Sequence, residues 1–212
     1  RDPSVESKVA IPVDDIKSAS TEFVSGRVTD VDVDERVVEL EDDEIEYDYL
    51  LLGIGSSTAF FGIDGLQEHA HELKGLDDAR AIHADVADAA EAASHDDPAQ
   101  VIVGGAGLSG IQTAGEIAEY RDANDAPIDV TIVEGLDEVF PGNDPELQGA
   151  LRRRLEGLDV EIITGEFISQ ADADAVYLGG GDDDPGEELA YDVLIWTGGI
   201  TGHNEVHGVD VD

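Results

Sequence analysis

Three glycines and one acid have the residue types and the spacing to hold a ligand built around a diphosphate. Gly105, Gly107 and Gly110 lie in Gly104-Gly105-Ala106-Gly107-Leu108-Ser109-Gly110, directly after the apolar run Val101-Ile102-Val103. Gly105 permits a tight turn out of a strand. Gly107 has no side chain, so a pyrophosphate can lie against bare backbone N–H groups, and Gly110 lets a helix pack close to the strand behind it. The start of that helix, from Ile111 to Arg121, offers unpaired N–H groups and about half a positive charge to an anion. A second apolar run, Val130-Thr131-Ile132-Val133, ends on Glu134, 24 residues after Gly110, close to the spacing of about 20 expected of an acid that binds a ribose. A carboxylate there accepts hydrogen bonds from a 2′-OH and repels a 2′-phosphate, which favours NAD over NADP. A glycine pattern alone is a weak signal. Strand, turn, helix, strand and terminal acid in this order make it a specific one.

The elements that would position these residues can be read along the chain. Residues 1–19 read as an extended lead-in. Glu22-Phe23-Val24, Arg27 to Val33 and Val37-Val38-Glu39-Leu40 alternate apolar and polar residues, as a β-meander with one wet face does. Tyr49 to Ser57 is a continuous apolar run ending in glycines and reads as a buried strand, and the stretch from Gly62 through Gly75 reads as a loop. Asp77 to Ala93 reads as an alanine-rich helix. Asp144 and Pro145 have the types of an N-cap and a first helical residue. The helix they open carries Leu147, Leu151 and Leu155 on one face and Arg152-Arg153-Arg154 near its end, where pairing with local acids outweighs a phosphate clamp. Asp159 to Gly165 reads as a third parallel strand. A meander (166–169, 174–178, 188–191) and a last apolar strand, Val193 to Trp196, follow.

Composition narrows the class. The 212 residues carry 51 Asp and Glu against 11 Lys and Arg, a net charge of −40. Such a surface repels nucleic acid and anionic lipid. It also destabilises a compact chain unless salt screens it, and the Debye length falls to about 3 Å at 1 M. The expectation is a halophilic protein that loses its fold at low salt. The absence of Cys removes disulfides and thiolate chemistry. His203 and His207, four apart, lack the order of a zinc motif, so no metal site is expected. No apolar stretch is long enough to span a bilayer. The start at Arg1-Asp2-Pro3-Ser4 fits an excised piece of a longer chain.

Two segments repeat one theme on either side of the glycine loop: Tyr47-Asp48-Tyr49-Leu50-Leu51-Leu52-Gly53-Ile54-Gly55-Ser56 and Tyr191-Asp192-Val193-Leu194-Ile195-Trp196-Thr197-Gly198-Gly199. With Gly104 to Gln112 between them, the chain resembles a type II NADH dehydrogenase, the flavoprotein NADH:quinone oxidoreductase. The resemblance covers most of residues 20–200. It implies an α/β fold, a Rossmann-like three-layer NAD-binding domain with a parallel sheet, helices on one face and an antiparallel meander on the other. Residues 1–75 would be a partial FAD-domain segment, 76–200 the NAD(H)-binding domain and 201–212 a tail leading towards a second FAD-domain segment.

The resemblance further implies hydride transfer from NADH to FAD and electron transfer on to a quinone, with no catalytic acid or base needed in this segment. Gly105, Ala106, Gly107, Leu108, Ser109 and Gly110 would seat the pyrophosphate and Glu134 the adenosine ribose. Gly198 and Gly199 would border the nicotinamide, and Gln112 would lie near its contact with the flavin. The chain departs from the family at Gly53-Ile54-Gly55, usually Ala-Thr-Gly, and at Gln112, commonly Glu; a Gln cannot titrate. On this reading the segment binds NADH, retains no FAD and is inactive alone. The whole protein is cytoplasmic or peripheral on the membrane through a C-terminal part, and a homodimer fits. Another NADH-dependent reductase of ferredoxin or rubredoxin type, or a non-enzymatic NAD-binding redox sensor, would carry the same features.

Overall fold

The computed structural model describes residues 6–180 and 186–202. By packing the described residues divide into two units: those of Thr58–Ile200, and residues 6–57 with 201–202. The chain passes between them at the short strands β4 (Ser57–Thr58) and β13 (Ile200–Thr201).

The smaller unit holds the helical turns α1 (Glu6–Val9) and α2 (Val13–Ile16) and an antiparallel meander, β1 (Val28–Asp32), β2 (Val37–Leu40) and β3 (Glu44–Glu46). The two turns replace the extended lead-in expected there, and Glu22 to Val24 is not a strand. A larger correction concerns Tyr49 to Ser57. Only Ser57 of this run is in a strand, and Tyr49 and Leu51 are 96% and 93% exposed. An apolar run becomes a strand only when a neighbour completes its ladder, and among the described residues none pairs with Tyr49 to Ser56.

The larger unit is built on a five-stranded parallel sheet in the order β5 (His71–Glu72), β12 (Val193–Trp196), β6 (Ala99–Gly104), β7 (Ile128–Glu134), β8 (Val160–Thr164). The central strands β12, β6 and β7 are buried and mostly apolar because both faces are covered. Val101, Val103, Val130, Ile132, Val193 and Ile195 face a core shared with the helices α4 (Leu76–Ala92), α5 (Leu108–Asn124) and α6 (Pro145–Glu156). Ile102, Val133, Leu194 and Trp196 point the other way, into a second core with the meander β9 (Ile168–Ala171), β10 (Ala175–Leu178) and β11 (Glu187–Ala190). The alternation along β6 and β12 therefore sets the three layers. Residues 58–75, read from sequence as preceding the nucleotide-binding domain, pack within this unit. They supply the edge strand β5 and the four-residue helix α3 (Leu66–His69), whose Leu66 is fully buried, where a plain loop was expected.

Helix starts follow the local sequence. Asp144 caps α6, accepting the N–H of Glu146 at 2.8 Å, with Pro145 at the first helical position. Asp78 folds back to accept the N–H groups of Lys74 and Gly75 at the start of α4. On α6, Leu155 is buried and Leu151 half-buried, while Leu147 is turned to solvent. Arg152 is held by Glu138 and Arg154 by Glu119, so these cations serve local pairing.

Candidate functional site

The glycine loop leaves β6 at its carboxyl end and is clamped from both sides. Gly105 has φ +95°, in the left-handed region that favours glycine. A Cβ there would also come within 2.6 Å of the Gly198 Cα. The Gly105 N–H donates to the Val133 carbonyl at 2.7 Å. Ala106 is fully buried. Its N–H donates to the Glu134 carboxylate at 2.7 Å, and its carbonyl accepts the Phe140 N–H at 2.8 Å. From the other neighbour, Thr197 donates its N–H to the Gly104 carbonyl at 2.8 Å. Its hydroxyl reaches the carbonyls of Gly104 and Gly105 at 3.0 and 3.1 Å. A loop fixed in this way has little ordering entropy left to lose on binding.

Gly107 is the N-cap of α5, and a Cβ built on it meets nothing within 4 Å. Gly110 is the opposite case. Its Cβ would collide with the Gly105 carbonyl oxygen and approach the Thr197 hydroxyl at 2.8 Å. So Gly110 is glycine for packing and Gly107 leaves open space beside the helix tip.

Glu134 ends β7 and is 8% exposed. Besides Ala106, it accepts the Leu136 N–H at 3.0 Å, so each carboxylate oxygen receives one backbone donor. Carboxylate oxygens have lone pairs to spare for a further donor. Glu134 lines a cleft of about 350 Å³ together with Gly105, Gly135, Phe167, Phe61 and Gly198. The structure thus brings Gly105, Glu134 and Gly198 to one cleft at the carboxyl end of the parallel strands, where open α/β sheets bind ligands.

Other sequence-predicted residues lie around it. Leu108 and Ser109 are exposed in the first turn of α5, and Gly199 packs against the Phe61 ring. Gln112 lines a different groove, between α4 and α5, with Leu73, Ile82, His83, Ile117 and Tyr120. His203 and His207 lie outside the described residues, and among those described no three potential ligands gather around a metal position.

Sequence reasoning missed Gly104 and Thr197. A Cβ on Gly104 would strike the Trp196 ring at 2.5 Å, so the first glycine of the run is required by the indole on the neighbouring strand. That indole is anchored by its Nε1–H, which donates to the Ala59 carbonyl at 2.8 Å. The signal for Thr197 was its place after an apolar strand and before two glycines.

Comparison with known proteins places the chain. Residues 4–211 match the family described as pyridine nucleotide-disulphide oxidoreductase. A probable mitochondrial NADH-ubiquinone oxidoreductase of Schizosaccharomyces pombe is 28% identical over 86% of this chain and 38% of its own length. A type II NADH:quinone oxidoreductase of Staphylococcus aureus is 25% identical over 92% of this chain and 51% of its own. The chain therefore spans about half the length, or less, of these curated relatives. Among solved structures, that of NDH2 from Plasmodium falciparum in complex with NADH superposes with a TM-score of 0.74 at 22% identity, over 86% of this chain and 42% of that one. A ferredoxin reductase of Rhodopseudomonas palustris superposes with a TM-score of 0.72 at 20% identity, over 99% of this chain and 46% of that one, which speaks for the shared fold.

Proposed function

The chain belongs to the pyridine nucleotide-disulphide oxidoreductase family, and from that premise we propose that it forms the NADH-binding part of a flavoprotein that takes a hydride from NADH and passes electrons to a quinone. The observation that carries this reading is the tip of α5. Of the three long helices, α4 has Asp77 and Asp78 in its first turn and α6 has Asp144 and Glu146 at its start. The first turn of α5 has no acid and no side-chain cap. In a chain with 51 acids, that end alone keeps its positive dipole and its amides for an anion.

In this proposal the loop from Gly105 through Ala106, Gly107, Leu108 and Ser109 to Gly110 holds the pyrophosphate. Glu134 takes the adenosine ribose hydroxyls while holding the loop through Ala106. Gly198 and Gly199 border the nicotinamide, and Gln112, which lines the groove between α4 and α5, is given no contact with it in this cleft. Residues 76–200, joined by residues 58–75 with the edge strand β5 and helix α3, form the NAD(H)-binding domain, and residues 1–57 and 201–212 are assigned to the FAD-binding part. Hydride chemistry comes with the cofactors, and this chain supplies position and a pocket. The open space beside Gly107 fits a dinucleotide diphosphate. The tips of α4 and α6, already occupied by acids, do not fit a second one, so no described residue is given a contact with the FAD diphosphate. Quinone as acceptor is supported by the names of the two curated relatives. Such an acceptor would bring the whole protein to a membrane surface, although no helix among the described residues is long and apolar enough to cross a membrane.

Calorimetric titration with NADH and NADPH in molar KCl tests the reading. NADH should bind and NADPH should bind more weakly. Equal affinities would remove the role of Glu134, and affinity for neither would remove the site. The purified chain should be colourless; a yellow sample would mean that it holds a flavin after all. Oxidation of NADH by the whole protein with a short-chain quinone, against a ferredoxin, decides the acceptor.

A further inference from the structure

One wall of the cleft has a feature that the diphosphate loop does not require. Phe167 stands immediately before β9, and its ring lies over Gly135, so that any Cβ on Gly135 would collide with it. The ring is 64% exposed and lines the cleft with Glu134, Gly105 and Gly198. Its backbone is held firmly. The Gly165 N–H donates to the Leu136 carbonyl at 2.9 Å, the Glu166 N–H to the Glu134 carbonyl at 3.3 Å, and the Phe167 carbonyl accepts the Gly179 N–H at 2.8 Å. Phe167 is thus a ring backed by peptide on one side and open on the other, at a place fixed relative to Glu134.

We propose that Phe167 is the stacking platform for the adenine base of the bound dinucleotide. The inference rests on the dinucleotide reading above and adds a residue that sets affinity for its adenosine half. Glu134 fixes the ribose, and the base attached to that ribose must lie close by. Gly105 and Gly198 occupy the cleft towards the centre of the sheet, just beyond the carboxyl ends of β6 and β12, so the base falls on the side of β7 and β8. Gly135 directly follows Glu134, and Phe167 sits on Gly135. A neutral planar base suits this wall. An aromatic face accepts it by offset stacking, whereas the carboxylates of Glu134 and Glu166 on the same wall would repel a further phosphate.

The test is calorimetry in molar KCl with three ligands: NADH, ADP-ribose and reduced nicotinamide mononucleotide, the last lacking adenine. Phe167→Ala should weaken NADH and ADP-ribose by about ten-fold, within the range of base–aromatic stacking, and leave the mononucleotide unchanged. Phe167→Tyr should restore the affinity of the native chain. Because the ring is largely exposed, both variants should melt with the native chain. Equal losses for all three ligands, or no loss for any, would overturn the stacking role while the dinucleotide site stood. Failure of the native chain to bind any of the three would overturn the dinucleotide reading itself.

Discussion

Glu134 accepts the backbone N–H of Ala106 at 2.7 Å, so the acid that ends one strand of the sheet holds the glycine loop that leaves its neighbour. One side chain therefore belongs both to the frame of the loop and to the cleft wall. In Glu134→Gln one oxygen becomes an NH₂ group. Whichever way the amide is turned, it faces a backbone N–H, Ala106 or Leu136, donor to donor. Leaving a buried donor unpaired costs about 1–3 kcal/mol. We expect an unfolding free energy lowered by that amount, weaker NADH binding and a smaller preference for NADH over NADPH. A variant with native stability and native preference would remove Glu134 from both roles.

Thr197 provides the matching hold from the other side of the loop. Thr197→Val keeps the shape and loses the hydroxyl that reaches the Gly104 and Gly105 carbonyls. A net hydrogen bond contributes about 0.5–1.5 kcal/mol. The variant should lose stability on that scale and bind NADH several-fold more weakly, whereas Thr197→Ser, which keeps the hydroxyl, should recover the binding. Equal binding by the Val and Ser variants would show that the hydroxyl does not position the loop.

The loop, its two strands and its helix were legible in the sequence because each step there is local. A glycine turn, a period-matched helix and a strand ending in an acid need no knowledge of distant partners. Tyr49 to Ser57 failed for the converse reason, since its apolar residues name a strand but cannot name the neighbour that would pair with it. His71–Glu72 was hidden because two residues carry no period, and they join the sheet only through β12. Phe167 was read as part of a strand, but β9 begins one residue later. What places its ring in the cleft is Gly135, 32 residues earlier in the chain. Gly104 is required by Trp196, which no local pattern could reveal.

Salt should decide whether the chain folds at all. With a net charge of −40, self-repulsion acts across the whole surface, and only screening at the scale of a few ångströms, reached at about 1 M salt, removes it. We expect circular dichroism to record folded structure in molar KCl and its loss on dialysis to low salt, with recovery on return. A thermal melt that barely moves between the two conditions would refute the halophilic reading.

The meander should have its own dependence on pH. The Asp172 carboxylate accepts the N–H groups of Asp174 and Ala175 and the hydroxyl of Tyr177. The backbone bond from Asp174 first, then the Tyr177 hydroxyl, hold the Asp172 carboxyl below its ordinary range. The same bond raises the Tyr177 hydroxyl, with burial adding to it. A depressed acid contributes stability above its unfolded value, near 4, and loses it as pH falls through the folded value. A raised phenol contributes stability below about 10 and loses it as pH rises through its folded value. The hairpin should therefore be weakened at both ends of that window. Asp172→Asn should flatten the acid limb of a pH–melting profile, and an unchanged limb would count against this cluster.

Gly107 and Gly110 separate folding from binding. At Gly110 a methyl group would collide with the Gly105 carbonyl oxygen, which is backbone and cannot swing aside. Gly110→Ala should therefore disturb the loop and lower stability by about 1–3 kcal/mol, on the scale of overpacking a dense site. At Gly107 the backbone has φ −70° and ψ −177°, which any residue adopts, and a methyl group meets nothing within 4 Å. Gly107→Ala should melt with the native chain. Yet its methyl group would stand beside the helix tip, where the diphosphate must approach the amides, so NADH binding should fall at least ten-fold. If Gly107→Ala kept both its stability and its NADH affinity, the open space at the tip of α5 would not be where the diphosphate lies, and the assignment built on it would fail.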